Sequence, residues 1–210
     1  MPVTEDFDEF FTLSTGLPHP YPYQRRIAED GFPDIIQAPT GSGKTMAVIV
    51  PWLFRLLRHP DPAVRANTPL RLVVAFPMRT LVEQTETEVR AVLRRTGLEG
   101  KTQLRVLMGG SLKPSDLQQW RIAPHLPTIV IGTVDSIVSR MLNRGYGCNR
   151  PSYPIDFALM TNDVQIVIDE VQLASQATAT LRQIAAFARE WGSVGSVALT
   201  CMSATVIPEA

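Results

Sequence analysis

Short runs of apolar and β-branched residues recur along the chain at 34–37, 70–76, 104–108, 128–132, 164–168 and 196–202. Each has strand length, and most are apolar throughout rather than alternating, as in strands covered on both faces. Between them, residues 46–58, 80–95, 114–122, 134–143 and 176–191 show helical spacing or helix-forming composition. The alternation predicts an α/β fold with a mostly parallel sheet and helices on both faces. Right-handed crossovers then gather the strand C-termini, and the loops that leave them, along one edge, where a site is expected. Residues 4–11 are acidic with apolar positions at i, i+3 and i+4, which predicts a short amphipathic helix and is the opposite of a basic signal-peptide start. Two irregular stretches, 59–69 and 144–162, interrupt the pattern, and the second is long enough to suspect a function.

The 210 residues suit one well-buried domain. Lys plus Arg and Asp plus Glu number 20 each, so any nucleic-acid contact must come from a local patch. The two cysteines, Cys148 and Cys201, suit a reducing cytoplasm better than a disulfide framework. The longest apolar stretch, 46–54, is about half the length needed to cross a bilayer and contains Pro51, so no membrane association is expected.

Chemistry enters at Ala38-Pro39-Thr40-Gly41-Ser42-Gly43-Lys44-Thr45, set between a predicted strand and a predicted helix. Gly41 and Gly43 can take positive φ and leave no Cβ in the way, so successive N–H groups can curl around a phosphate at the positive end of the following helix. Lys44 supplies a point charge to the β- and γ-phosphates, and Thr45 a hydroxyl to Mg²⁺. The first position is Ala38 where such loops usually carry glycine. A second signal follows about 125 positions later, where the run 164–168 delivers Asp169-Glu170 to a strand end. Asp169 is suited to hold the Mg²⁺ and Glu170 to orient and deprotonate an attacking water. The last strand ends in Ser203-Ala204-Thr205, whose hydroxyls are placed to hydrogen-bond the acidic pair and sense the γ-phosphate.

Taken in order, the phosphate loop, the segment from Phe76-Pro77 to Gln84-Thr85, Ile131-Gly132-Thr133-Val134-Asp135, Asp169-Glu170-Val171-Gln172 and Ser203-Ala204-Thr205 resemble the motif series of the first RecA-like lobe of superfamily 2 helicases. Pro22-Tyr23-Gln24 is similar to the Q motif of that superfamily. The resemblance implies that Gln24 reads the adenine edge while a nearby aromatic such as Tyr23 stacks on the base, and that Gln172, Ser203, Ala204 and Thr205 couple nucleotide to motion. It divides the chain into a helical segment at 1–33 and an ATP-binding RecA-like P-loop lobe at 34–210. The wording of residues 77–85, 142–147 and 169–173 further resembles the Cas3 helicase-nucleases of type I CRISPR systems, subtype I-U/I-G. That likeness implies an ATP-driven translocase on single-stranded DNA in a prokaryotic cytoplasm, working with a second RecA lobe, an HD nuclease domain and a Cascade effector complex. This sequence shows neither the later helicase motifs nor an HD pair, since His19, His59 and His125 are isolated. A lone first lobe is expected to bind ATP and hydrolyse it poorly, because charge stabilisation comes from the opposite lobe.

Nucleic-acid contact is expected from Pro77, Arg79, Thr80, Gly109, Gly110 and Thr133, which sit at strand ends or helix starts where backbone N–H groups can face phosphates. Arg144, Tyr146 and Arg150 on the long irregular stretch are secondary candidates, whereas Arg90, Arg94 and Arg95 read as a solvated helix end. The competing readings are another DExH helicase or restriction-translocase lobe, and a nucleotide-binding interaction module without catalysis.

Overall fold

The computed structural model describes residues 6–39, 41–108, 120–145 and 150–204. Six parallel strands, β1 (Ile35–Gln37), β2 (Arg71–Phe76), β3 (Gln103–Leu107), β4 (Thr128–Thr133), β5 (Val164–Ile168) and β6 (Val197–Ser203), form one sheet in the order β1-β6-β5-β2-β4-β3. All five pairings are parallel, as the continuous apolar runs predict.

The two-residue period of each strand divides the core in two. On one face Leu72, Val74, Phe76, Ile129, Ile131 and Val167 meet the helices α1 (Phe7–Thr15), α2 (Pro22–Asp30), α3 (Lys44–Leu57) and α5 (Arg79–Arg95). On the other, Val73, Ala75, Val130, Ile166 and Ile168 meet α6 (Val134–Met141), α7 (Tyr153–Thr161) and α8 (Ser175–Trp191). A one-residue slip of β2 would exchange its two sets of side chains between faces that both exclude water, so register is held by side-chain size and by the ladders on each flank.

The structure departs from the expected pattern in the two stretches read as irregular, and proline explains both. Pro22, Pro62 and Pro154 stand in the first turns of α2, α4 (Pro62–Asn67) and α7, where a missing N–H costs nothing and a fixed φ helps. The stretches 59–69 and 144–162 are therefore partly helical rather than irregular. Asp61 caps α4 by accepting from the Ala63 N–H at 2.7 Å. The N-terminal helix runs to Thr15, with Phe7, Phe10 and Phe11 buried and Asp6 as its cap. Of the helix expected at 114–122, residues 120–122 are helical and the remainder lies outside the described residues.

The N-terminal helices belong to the lobe. Phe7 and Phe10 pack against Phe54 of α3, and the Arg95 guanidinium donates to the Ser14 and Thr15 carbonyls at the end of α1. Arg90 pairs with Glu86 and Arg94 with Glu99, so this basic helix end is engaged in local contacts. On the far side, the Arg121 guanidinium donates to both oxygens of the buried Asp156 carboxylate and to Ser152 Oγ, all at 2.9 Å, which fastens the 120–122 turn to α7.

Candidate functional site

The predicted site residues that the structure describes gather at the C-terminal edge of the sheet. β1 ends at Gln37, the phosphate loop follows, and α3 starts at Lys44 with Gly43 as its N-cap. Gly41 and Gly43 take φ of 79° and 72°, the left-handed values that the sequence pattern requires. A Cβ on Gly41 would meet nothing within 4 Å, so the space beside it is open; on Gly43 it would come within 3.1 Å of Gln24 Nε2. Within the loop the Ser42 hydroxyl donates to the Pro39 carbonyl at 2.6 Å. Thr40 lies outside the described residues.

Two side chains of α2 hold the loop from beneath. The Tyr23 hydroxyl donates to the Ser42 carbonyl at 2.6 Å, and burial raises its pKa, which keeps it a donor. Gln24, only 1% exposed, accepts the Tyr21 N–H at 2.9 Å and donates through Nε2 to the Gly43 carbonyl at 3.2 Å. Tyr21 stacks on Tyr23 at 6.1 Å between ring centroids and is 53% exposed. The open aromatic face at this end of α2 is therefore that of Tyr21, while the Tyr23 hydroxyl serves the loop. Sequence reasoning missed Tyr21; the signal available was a second tyrosine at the residue preceding the helix-starting Pro22.

Opposite the loop, β5 delivers Asp169 and Glu170. Asp169 is 6% exposed, and its N–H is bound by the Ala75 carbonyl of β2 at 2.9 Å, so it is fixed by the ladder. Burial pushes its carboxyl above the usual carboxylate range, a tendency that Lys44 opposes and the Glu170 charge reinforces. Glu170 is in the left-handed region at φ 49°, ψ 54°, a sharp turn out of the strand into the 3₁₀ turn Val171–Leu173. Its Oε1 accepts from Lys44 Nζ at 2.8 Å and its Oε2 from Gln172 Nε2 at 2.6 Å. Burial alone would raise its pKa, but Lys44, Gln172 and the Ala204 N–H together hold it below the ordinary glutamate value.

The link to the last strand differs from the expected one. Ser203 Oγ donates to Gln172 Oε1 at 2.9 Å, so it reaches the acidic pair through Gln172, while Ala204 approaches Glu170 through its backbone. A chain of contacts thus runs from Lys44 through Glu170 and Gln172 to Ser203. Thr205 lies outside the described residues.

The donor set fits a phosphate-bound Mg²⁺. Asp169 is a buried carboxylate whose charged form a nearby dication would favour, and Thr45 begins α3 beside Lys44. Asp169 and Thr45 are the residues that would hold Mg²⁺, and the ion would supply positive charge for phosphoryl transfer.

Of the residues expected to touch nucleic acid, Arg79 and Thr80 start α5 with exposed side chains, Pro77 precedes them at the end of β2, and Thr133 closes β4 with its hydroxyl donating to Ser136 Oγ at 2.9 Å. They share the sheet edge that carries Asp169, because β2 is flanked by β4 and β5. Gly109, Gly110 and Tyr146 lie outside the described residues. Arg144 follows α6 at that helix's end, and Arg150 is exposed in the 3₁₀ turn Arg150–Ser152.

A parallel sheet whose strand ends present a glycine-rich loop, a lysine and an acidic pair defines a RecA-like P-loop lobe. The family model for DEAD/DEAH box helicases matches residues 21–210, and the chain belongs to that family. Curated relatives include the chloroplastic DEAD-box ATP-dependent RNA helicase 3B of Zea mays, 36% identical over 87 residues that make up 39% of this chain and 12% of the relative. The ATP-dependent RNA helicase RhlB of Erwinia tasmaniensis is 36% identical over 102 residues, 49% of this chain and 22% of the relative. Similar solved structures include the DUF1998 helicase MrfA bound to DNA and AMPPNP, with a TM-score of 0.66 at 21% identity over 99% of this chain and 27% of that one. Mss116p bound to ssRNA and AMP-PNP gives a TM-score of 0.66 at 21% identity over 98% of this chain and 39% of that one. These two likenesses bear on the fold. The chain spans well under half the length of the curated relatives it matches, from 8% to 25%. Membership of the DEAD/DEAH box helicase family and a RecA-like fold are thus what the comparisons support; none of the relatives and structures named above is a Cas3 protein. No helix of the described residues is long and apolar enough to cross a membrane.

Proposed function

We propose that this chain is the nucleotide-binding first lobe of a motor that uses ATP to move along a single nucleic-acid strand. The observation that carries this reading is the continuous contact chain Lys44–Glu170–Gln172–Ser203, which joins the phosphate loop to the end of the last strand through the residue suited to activate water. In this role Lys44 binds the β- and γ-phosphates, Thr45 and Asp169 hold Mg²⁺, and Glu170 takes the proton of the attacking water. The exposed face of Tyr21 receives the base, and Gln24, buried with both amide atoms engaged, positions the loop beside it. Arg79, Thr80 and Thr133 meet the backbone of the strand, a sequence-tolerant form of contact.

For the track, single-stranded DNA and a Cas3-type partnership with a second RecA lobe, an HD nuclease and a Cascade complex rest on the wording of residues 77–85, 142–147 and 169–173. An RNA track is the second reading, favoured by the several RNA helicases among the curated relatives. The test is Mg-ATP binding and hydrolysis by the chain with single-stranded DNA, single-stranded RNA or neither, with Lys44→Ala as the blank. Binding lost in Lys44→Ala, with slow turnover, is the result expected for a lone lobe. Unchanged nucleotide affinity in Lys44→Ala would sink the assignment, and selective stimulation by RNA would replace the DNA reading.

A further inference from the structure

A side chain selects one base by hydrogen bonding only if it has a donor or acceptor to offer and a surface from which to offer it. Gln24 is 1% exposed, its Oε1 accepts the Tyr21 N–H at 2.9 Å, and its Nε2 donates to the Gly43 carbonyl at 3.2 Å. A Cβ on Gly43 would stand 3.1 Å from Nε2, so the amide lies against the backbone of the phosphate loop. Turning Gln24 toward a base would strip both backbone groups of this partner, a loss that a new bond to a base edge offsets only in part.

Tyr21 has the opposite properties. It is 53% exposed, and its ring stacks on Tyr23 with 6.1 Å between centroids and 18° between planes. The Tyr23 hydroxyl in turn meets the Ser42 carbonyl, so the open aromatic face stands one ring away from the phosphate loop. A π-face accepts any base, because every base has one. The other polar side chains at this end of α2 discriminate weakly. Arg25 is paired with Asp8, and Arg26 and Gln37, which line a cavity with Tyr23, are exposed, so water competes for each hydrogen bond they make.

We propose that the nucleotide site is base-tolerant: Tyr21 holds the base by stacking, and Gln24, committed to the loop, does not select adenine. The substrate class is then nucleoside triphosphates in general, with purines favoured over pyrimidines by their larger stacking area. This rests on the nucleotide-binding reading given above. Sites built to hydrogen-bond a substrate group reject an analogue lacking it by about 10⁴ to 10⁵, whereas a stacking site separates bases by about tenfold or less.

The experiment measures the affinities of ADP, GDP, CDP and UDP, by calorimetry without Mg²⁺, for the full chain and for Tyr21→Ala, Gln24→Ala and Lys44→Ala. Inorganic pyrophosphate, which carries no base, is measured by its displacement of ADP. The expected result is ADP and GDP within about tenfold of each other, with every diphosphate weakened roughly fivefold to hundredfold in Tyr21→Ala and pyrophosphate unchanged there. Gln24→Ala is expected to shift all four diphosphates by a common factor, as a residue that positions the loop would. ADP bound more than about tenfold tighter than GDP would overturn the proposal, and so would a loss in Gln24→Ala confined to ADP. Pyrophosphate weakened in Tyr21→Ala as much as ADP would place Tyr21 in support of the loop and overturn the stacking role. Either result leaves ADP binding that is lost in Lys44→Ala, and so leaves the nucleotide site standing. If Lys44→Ala itself keeps ADP affinity unchanged, the nucleotide-binding reading falls and this proposal with it.

Discussion

Gln24→Glu exchanges one NH₂ for an oxygen with almost no change of shape, at a site where the structure fixes what each atom does. The oxygen that accepts the Tyr21 N–H at 2.9 Å is kept, but the donor to the Gly43 carbonyl becomes a second acceptor, facing that carbonyl at 3.2 Å in a side chain 1% exposed. Burial raises the pKa of the new carboxyl, while the Tyr21 N–H and the positive end of α3 oppose part of that rise. A buried donor replaced by an acceptor that faces another acceptor costs about 1–3 kcal/mol of stability near neutral pH.

The sign follows from which state holds the proton. The folded pKa lies above the unfolded value, so the penalty is complete above the folded pKa and absent below the unfolded one. At about pH 5 the loss is smaller than near neutral pH, because the protonated carboxyl regains an O–H donor for Gly43. Urea denaturation of both proteins at about pH 7.5 and about pH 5, followed by tryptophan fluorescence and extrapolated to water, measures the two differences. A loss equal at both pH values, or below about 0.5 kcal/mol at the higher one, would refute the reasoning.

Three further outcomes follow from contacts described above. In Gly132→Ala the new Cβ would lie 2.5 Å from the Leu107 carbonyl oxygen, a backbone atom of the paired strand β3, so the variant should lose about 1–3 kcal/mol and melt several degrees lower in a thermal scan; an unchanged melting temperature would mean that β3 yields freely. Asp156→Ala strands the Arg121 guanidinium beside a buried site and should cost about 3 kcal/mol in urea denaturation, while exposed Asp61→Ala, which removes only a cap, should cost about 1 kcal/mol. Burial raises the Cys201 thiol above its ordinary pKa, so in a Cys148→Ser background a thiol reagent at about pH 8 should label the folded chain far more slowly than the urea-unfolded one, read by mass; equal rates would contradict its burial.

Much of the site was legible because its chemistry is written in consecutive residues. A loop carrying Gly41, Gly43 and Lys44 between strand and helix admits few backbone paths, and an acidic pair after five buried strand residues must emerge at a strand end. The six strands were legible for the same reason, since both faces are covered and the runs are apolar throughout. Proline was the main source of error. Pro62 and Pro154 carry no local mark that separates a loop proline from one that opens a helix; the distinction lies in Asp61, which caps one helix, and in Ser152 and the residues after it, which start the other. Gln172 was named from its motif, but its position between Glu170 and Ser203 depends on the left-handed turn at Glu170, a conformation that a non-glycine residue does not announce. The support of the phosphate loop by Tyr23 and Gln24 crosses nineteen positions of sequence and exists only once α2 has packed on α3.

The strand β1, from which the phosphate loop emerges, has a single partner in the described sheet. That partner is β6, with Gln37 opposite Ser203, and the Ala38 N–H donates to the Ser203 carbonyl at 3.1 Å. The loop and the serine that steadies Gln172 therefore ride on one rail. A displacement along β6 would therefore move the floor of the phosphate loop and the far anchor of Glu170 together.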